Sequence, residues 1–287
     1  NETEATVQSV EADSTGAEEY YALPEKIAEA EYEYDPSLEL QGMRDAKTKS
    51  FLNEDGSITQ MVASEPIHYM SADGTWEDID LNIQAYPEGW GVTENTFTTY
   101  FAPEVAGGVM VQANEFVDPV VSGINPMLVT LDATGSAPEP FITAPSPNSV
   151  DVGGNVIRYP LAEGFDLDYE VESNQVKQNL ILREVPVIPE AAEYFGISEG
   201  IRMPAGYALF SGETMLGEEI FKTQEDLQIR NIETGELLVE IPAPVILEAN
   251  AAEPYTGTFF VQVHGPDIIL ITVVESDWLL DEDRQYP

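Results

Sequence analysis

The chain has 287 residues, with 53 acidic and 11 basic side chains, a formal net charge of −42 and no cysteine. Such a charge repels nucleic-acid backbones and anionic lipid surfaces, which makes both poor partners. The lack of cysteine excludes disulfides, thiolate metal sites and cysteine nucleophiles. Because salt or divalent cations relieve repulsion among carboxylates, the composition favours a salty or calcium-bearing milieu.

The apolar content is sufficient for a folded core. Hydrophobic residues make up 43% of the chain and aromatic residues 9%, which excludes a wholly disordered acidic polymer. No apolar run approaches the roughly 20 residues that a membrane-spanning helix needs. The chain opens at Asn1 rather than methionine, which fits a mature secreted protein, although a trimmed chain would open in the same way.

Residues 1–42 are predicted to form an acidic leader. Up to Leu40 the leader holds twelve acidic residues and a single basic residue, Lys26. Good helix formers lie between Pro24 and Pro36, but glutamates at i,i+4 spacing repel one another and weaken an isolated helix. We therefore expect the leader to be extended or partly helical.

Residues 43–148 are predicted to form a first β-rich domain. Short runs alternate between apolar and polar residues, and turn signals at 53–56 and 72–74 predict two hairpins. Four of the twenty prolines lie between residues 133 and 148, where they interrupt both periodicities and indicate a boundary. The further strand candidates are Asn95 to Phe101, Gly108 to Gln112 and Met127 to Leu131.

Residues 149–287 are predicted to form a second β-rich domain, with turns at spacings typical of sandwiches. Short helices are expected only at Pro189 to Ile197 and at Glu219 to Glu225. The fold class is therefore mainly β, with two β-sandwich-like domains and few short helices. The strand candidates are Val156 to Tyr159, Asp166 to Val171, Val176 to Arg183, Tyr207 to Phe210, Leu227 to Ile232, Leu237 to Ile241, Gly257 to His264 and Ile268 to Val274.

The clearest alternation lies in residues 165–171. Successive side chains of a strand point to opposite faces, so this segment predicts one buried and one wet face. The face predicted to be buried carries Phe165, Leu167, Tyr169 and Val171, and the face predicted to meet water carries Asp166, Asp168 and Glu170.

Calcium is the inorganic partner that this composition favours, because it takes several carboxylate and carbonyl oxygens. Residues i and i+2 of a strand share a face, which makes Asp78 with Asp80, and Asp166 with Asp168, candidate ligand pairs. A solvated acidic face is the alternative interpretation of each pair, and no segment matches the twelve-residue EF-hand loop.

The two histidines, His68 and His264, lack the i,i+4 spacing of helical metal ligands. We interpret them as unrelated histidines on a β surface. The sequence also lacks the nucleophile elbow, the zinc-protease helix, the phosphate-binding loop and the dinucleotide-binding loop. No catalytic residue is therefore assigned.

Sugar chemistry is the alternative that the residues leave open. Paired carboxylates hydrolyse glycosides, but 53 acidic residues offer no means of selecting one pair. Three tryptophans, Trp76, Trp90 and Trp278, are of a kind that stacks on sugar rings, although a tryptophan in a strand pattern also serves as a core anchor. The alternative function is a polysaccharide-binding module or a weak glycosidase.

Three ordered phrases carry a family resemblance. The first joins residues 44–57, 64–69 and 73–81 and is followed by Asn95-Thr-Phe. The second joins residues 159–171 to 176–182, and the third is the terminal run 278–287. Together they resemble the N-terminal region of large wall-associated, Rhs (YD-repeat) and DNRLRE-domain surface proteins. The chain departs from that pattern at Gln178, where glutamate is usual, and in its acidity.

The resemblance implies an extracellular or cell-surface β-rich module of a longer polypeptide, with no catalytic residue to transfer. We therefore expect a structural or assembly module without enzymatic activity, such as a component of a surface layer or filament. Its expected partners are other copies of itself or other modules of a larger surface protein, with a glycan as a further candidate. No nucleic acid and no transmembrane segment is expected.

Overall fold

Among the described residues, the regular secondary structure consists almost entirely of β-strands. In a computed structural model of the chain, strands account for 52% and helices for 5% of the described residues. The structure describes residues 35–113, 117–135, 138–141, 149–248 and 254–281. The predicted fold class, mainly β with few short helices, is confirmed, and the strands form several sheets. Most of the predicted leader, residues 1–34, lies outside the described residues.

Ten antiparallel strands form one large sheet, with strands from both halves of the chain. Its strands are β5 (Gln84–Tyr86), β6 (Gly89–Val92), β7 (Thr98–Phe101), β8 (Val109–Gln112), β9 (Val120–Leu131), β10 (Glu139–Pro140), β15 (Tyr194–Arg202), β18 (Phe221–Thr223), β23 (Thr258–His264) and β24 (Asp267–Glu275). Their order is β18-β23-β24-β15-β9-β8-β7-β6-β5, and β10 pairs with β9 off this path.

Two four-stranded sheets pack on the large sheet, and we call them the first and second cover sheets. The first runs in the order β11 (Asp151–Gly153), β12 (Val156–Ala162), β13 (Phe165–Val171) and β14 (Val176–Leu182). The second runs in the order β17 (Thr214–Met215), β16 (Tyr207–Ser211), β19 (Leu227–Asn231) and β20 (Leu237–Ile241).

The remaining elements are short. Three hairpin sheets pair β1 (Thr48–Leu52) with β2 (Ile58–Val62), β3 (His68–Met70) with β4 (Trp76–Asp78), and β21 (Val245–Ile246) with β22 (Tyr255–Thr256). The 3-10 helices are Pro36–Leu38, Gln41–Met43 and Val105–Gly107, and the α-helix α1 is Ser276–Leu279. None of the helices in the described ranges has the length and apolarity to cross a membrane.

Glycine-containing turns set the two hairpins that the sequence predicts. Gly56 lies between β1 and β2, and Gly74 between β3 and β4, each with φ of 83°. Such a backbone conformation is accessible to glycine without steric strain. The register of the first hairpin then pairs Leu52 with Ile58. Both predicted hairpins are confirmed.

Each cover sheet encloses its own apolar core. Beneath the first cover sheet, Leu167 and Tyr169 pack with Phe101 of the large sheet, and all three are at most 2% exposed. Beneath the second, the fully buried Leu227 packs with Leu270. The apolar side of residues 165–171 is therefore buried as predicted.

Both cores lie on the same face of the large sheet. In the register of β15 with β24, Ile201 is paired with Ile268 and Ile197 with Thr272, so these four side chains share one face. Ile201 belongs to the core under the second cover sheet, and Ile197 to the core under the first. The two cores therefore lie side by side on one face of the large sheet.

The predicted domain limit at residue 148 lies between strands that the large sheet joins. The twelve-residue β9 precedes that limit, and it pairs with β15, which follows it. The division of the chain into residues 43–148 and 149–287 stays a prediction. The sheet itself is continuous across the limit.

Two predicted helices are wrong. The last four residues of the span Pro189 to Ile197 belong to β15, residues 189–193 form a turn and irregular chain, and the span Glu219 to Glu225 contains β18. The Ala-Ala-Glu segment after Pro189 has helix propensity, but β15 hydrogen-bonds to β9 on one side and to β24 on the other. Tertiary pairing on both edges outweighs a local preference of a few tenths of a kcal/mol per residue.

We predict that the two cores unfold together, because they share one sheet. Leu167→Ala and Leu227→Ala, one in each core, are each expected to lower the free energy of unfolding by about 2–5 kcal/mol. Differential scanning calorimetry is expected to show a single transition that moves down in temperature in both variants. Met127→Ala, at a side chain that is 42% exposed, is the control. Two transitions, each moved by one variant only, would contradict the prediction.

Candidate functional site

Asp166 and Asp168 do not face water, which corrects the prediction of a wet carboxylate face. Their residues are 2% and 6% exposed. Arg158 donates to both carboxylate oxygens of Asp168, from Nε at 2.8 Å and from Nη2 at 2.7 Å. Arg183 donates to Asp166 Oδ2 from Nε at 2.8 Å. Each carboxylate is therefore neutralised by a guanidinium, as buried charges require.

Asp78 lies in a cluster that also contains Glu39, Arg44, Lys49 and His68. Its carboxylate contacts Lys49 Nζ at 2.5 Å and Arg44 Nη2 at 3.1 Å. Burial opposes ionisation of Asp78, but the hydrogen bond from Lys49 and the charges of Lys49 and Arg44 outweigh it, so the pKa of Asp78 is lowered. Arg44 also binds Glu39 at 2.6 Å and lowers the pKa of that carboxyl. The cluster ties the end of the leader and the residues that follow it to β1 and β4.

Asp80 is not part of that cluster. Its Oδ1 accepts hydrogen bonds from the backbone N–H of Asn82 at 2.9 Å and from the Asn82 amide at 2.5 Å. Within the residues that the structure describes, no group of three or more metal-ligating side chains converges. Calcium binding by the predicted pairs stays a prediction.

The histidines occupy different environments. His68 is fully buried, which corrects its assignment to a surface, and its Nδ1 lies 2.7 Å from the carbonyl oxygen of Asp45. Its Nε2 lies 3.5 Å from Asp78 Oδ1. His264 is exposed at the end of β23. The two residues belong to separate sheets.

A buried carboxyl group lies between the large sheet and the first cover sheet. Glu199 of β15 is 6% exposed, and its Oε2 accepts a hydrogen bond of 2.7 Å from the Gln178 amide of β14. Burial raises the pKa of Glu199 to about 7, against the opposing effect of Gln178. We call Glu199, Gln178, Tyr169 and Gly123 the buried acid site.

The Tyr169 hydroxyl completes the buried acid site. It has no hydrogen-bond partner among the described residues. Burial, with a smaller contribution from the charge of Glu199, raises the pKa of Tyr169 well above its usual value. The phenol therefore stays protonated, and a buried, unpaired hydroxyl carries a desolvation cost of about 1–3 kcal/mol.

Irregular backbone faces the buried acid site. Ser198 pairs with Met127 and Gly200 with Ile124, so two steps along β15 face three steps along β9. This is a β-bulge, and bulges are common next to functional sites. Gly123 has φ of 64°, and a Cβ there would lie 2.2 Å from the Tyr169 hydroxyl oxygen. Only glycine leaves room for the tyrosine.

The arrangement is a proton-binding site that titrates near neutral pH. Its carboxyl group is enclosed between two sheets, and the polar atoms that face it come from Gln178 and Tyr169. Loss of the proton leaves a negative charge in an apolar layer, which is costly unless the charge is paired. The chemistry that this geometry supports is the uptake and release of one proton at Glu199.

A second site is an aromatic groove of about 510 Å³ at the β5 edge of the large sheet. Trp90 is the one predicted sugar-stacking tryptophan in its lining. Of the other two, Trp76 is paired with Met70 in the β3–β4 hairpin, and Trp278 stacks on Tyr255 with ring centroids 4.7 Å apart. The three tryptophans do not form one surface.

Comparison of the chain with protein-family models, with curated proteins and with solved structures finds no match. The resemblance to wall-associated, Rhs and DNRLRE-domain surface proteins therefore stays a prediction.

We predict that Glu199 makes the folded protein less stable as the pH rises. Because the pKa of Glu199 is raised in the folded state, its stabilising contribution is complete below about 4.5 and is lost as the pH passes through about 7, at a cost on the order of 3 kcal/mol. The stability of Glu199→Gln relative to the parent chain is expected to increase between pH 5 and pH 8 in urea unfolding. Glu163→Gln, at an exposed residue, is the control. A difference for Glu199→Gln that does not change with pH would rule out this role.

We predict a second stability effect at the buried Arg158–Asp168 pair. Arg158→Met leaves the Asp168 carboxylate buried without the cation that neutralises it, which is expected to cost about 3–5 kcal/mol in urea unfolding. The double variant Arg158→Met/Asp168→Leu removes both charges and is expected to recover most of that loss. A double variant as unstable as Arg158→Met would show that the pair is needed for more than mutual neutralisation.

Proposed function

We propose that this chain is a structural module of an extracellular or cell-surface protein and that it acts through its folded shape and its association with other copies or neighbouring modules. It performs no turnover in this proposal. The expected location follows from the family resemblance of the sequence. The fold and its exposed edges supply the physical support.

The observation that carries the proposal is the continuity of the large sheet. The twelve residues of β9 and the nine residues of β15 tie the cores under both cover sheets into one body. Separating the cores requires breaking this ladder of backbone hydrogen bonds. A body joined in this way suits a spacer or a building block better than a hinged enzyme with a cleft between domains.

A free strand edge offers a surface for association. Within the described part of the chain, β14 pairs with β13 alone, although it is seven residues long. Its one charged side chain, Lys177, is engaged by Glu172. Long edges without free charge accept a strand from another chain. We propose β14 as the edge through which copies of the module associate.

Two exposed valines, which follow β14 after Arg183 and Glu184, extend this surface. Val185 is 52% exposed and Val187 is 90% exposed. Exposed aliphatic side chains beside an open edge add burial to backbone pairing. The net charge of −42 opposes association, and this opposition weakens as salt shortens the range of the repulsion.

We predict that association depends on salt and on the β14 edge. Raising NaCl from about 10 mM to about 1 M shortens the screening length from about 30 to about 3 Å, so the particle mass measured by light scattering is expected to rise. Asn179→Lys and Val187→Lys are expected to reduce that rise, because a lysine on an edge disfavours pairing.

Val62→Lys is the matched control, since Val62 is 71% exposed and lies on β2, outside the proposed surface. Calcium chloride at the same ionic strength tests the predicted calcium dependence separately. A monodisperse monomer in every salt would overturn the proposed association. Equal effects of the three lysine variants would overturn the assignment to β14.

A further inference from the structure

Glu199 and its hydrogen-bond partner Gln178 lie on strands that are held to different degrees. Strand β15, which carries Glu199, is hydrogen-bonded to β9 on one edge and to β24 on the other. Strand β14, which carries Gln178, ends the first cover sheet and, within the described part of the chain, pairs with β13 alone. A strand at the end of a sheet opens at a lower free energy than one inside it. A change at the contact between Glu199 and Gln178 is therefore expected to move β14 and to leave β15 in place.

Strand β14 is also packed less tightly than its neighbour. The inward side chains Leu167 and Val171 of β13 are fully buried. Their register partners on β14 are Leu180 and Val176, which contact the same core but remain partly exposed. Because the free energy of packing grows with the apolar area removed from water, β14 is the more weakly attached of the two strands.

The groups that face Glu199 carry no charge. Among the described residues they are Gln178 of β14, Tyr169 of β13, Gly123 of β9 and Leu270, the register partner of Glu199 on β24. Tyr169 is the titratable one, and burial keeps it protonated by raising its pKa well above the usual value. The charged side chains of β13 and β14 alternate with these inward residues and lie on the outer face. No cation in the described part of the chain is therefore placed to neutralise an ionised Glu199.

The route for water to Glu199 passes Gln178. Glu199 is 6% exposed, whereas Gln178, whose amide donates to Glu199 Oε2 at 2.7 Å, is an exposed residue. An unpaired carboxylate in an apolar layer is costly, and hydration lowers that cost. Movement of β14 away from β15 opens this route, so ionisation of Glu199 favours the opened arrangement.

We propose that ionisation of Glu199 detaches β14 from the large sheet and thereby weakens association through the β14 edge. This regulation rests on the association proposed above. With a neutral Glu199, all seven residues of β14 pair with β13, and the strand presents a regular edge to a partner. With an ionised Glu199, β14 leaves that position, and an edge that is no longer held in place pairs less well with a second copy.

The pKa of Glu199 sets the direction of the response. Burial raises this pKa to about 7 in the folded chain, whereas detachment exposes the carboxyl group to water and returns the pKa toward its ordinary value. The attached arrangement is therefore fully favoured at acidic pH and loses that preference as the pH rises through about 7. Association is expected to be stronger at pH 6 than at pH 8.

The first test is hydrogen–deuterium exchange of the full chain in about 10 mM NaCl at pH 6 and pH 8, with rates divided by those of unstructured peptides. In the parent chain, protection of the β14 amides is expected to fall about tenfold between the two pH values, while β15 and β24 keep theirs. In Glu199→Gln, which imitates the neutral acid at both pH values, β14 is expected to stay protected. Glu163→Gln, in the turn that joins β12 to β13, is the matched control and is expected to behave as the parent chain does. Equal protection of β14 at both pH values in the parent, or the same loss in Glu199→Gln, would overturn the proposal.

The second test is light scattering in about 1 M NaCl at the same two pH values. The particle mass of the parent is expected to be larger at pH 6 than at pH 8, and that of Glu199→Gln to be equally large at both. Histidine as a residue type titrates in this range, but every variant retains both histidines, so their effect cancels in the comparison. An equal mass at both pH values in an associating parent would overturn the link to association. A parent that is monomeric at both would overturn the proposed function instead, and hydrogen exchange would still decide whether Glu199 detaches β14.

Discussion

The pairing of β15 with both β9 and β24 is the constraint on which the rest of this fold depends. On a single face, strand β15 supplies Ile197 to the core under the first cover sheet and Ile201 to the core under the second. It also carries Glu199, whose carboxyl group contacts β14. A strand that is hydrogen-bonded along both edges resists local opening. The acid is therefore held in its apolar layer at every pH at which the sheet persists.

The chain uses its few cations mainly for structure. Of the eleven basic residues, Lys26 and Arg284 lie outside the described residues, which leaves nine. Seven of the nine form ion pairs, two of them with both partners nearly buried. Lys222 contacts the Tyr194 hydroxyl at 2.7 Å and lies over its ring, and Lys47 donates to the carbonyl oxygen of Ser64. Eleven cations cannot pair with 53 carboxylates, so the proposed association is expected to depend on screening by salt.

Local sequence patterns predicted strands that pair with a neighbour in the sequence. They failed where pairing with strands distant in the sequence determines the structure. Glycine-containing turns and the alternation of apolar and polar residues predicted both early hairpins and β13. Because a helix was expected near residue 190, β15 was not predicted, and neither was the inward face that Glu199 shares with Ile197 and Ile201. The burial of Asp168 depends on Arg158, ten residues away, and period-two reasoning assigns a face without saying what covers it.

Both cover sheets lie on one face of the large sheet, which makes the module two-sided. One face of the large sheet packs against the two sandwich-like cores, and the other face carries a smaller apolar cluster around Phe260 and Val273. If copies pair edge to edge and neighbours are related by translation, the same face of every copy lies on the same side of the assembly. An array built in that way would have an inner and an outer surface of different chemistry, and its orientation would already be encoded in a single subunit.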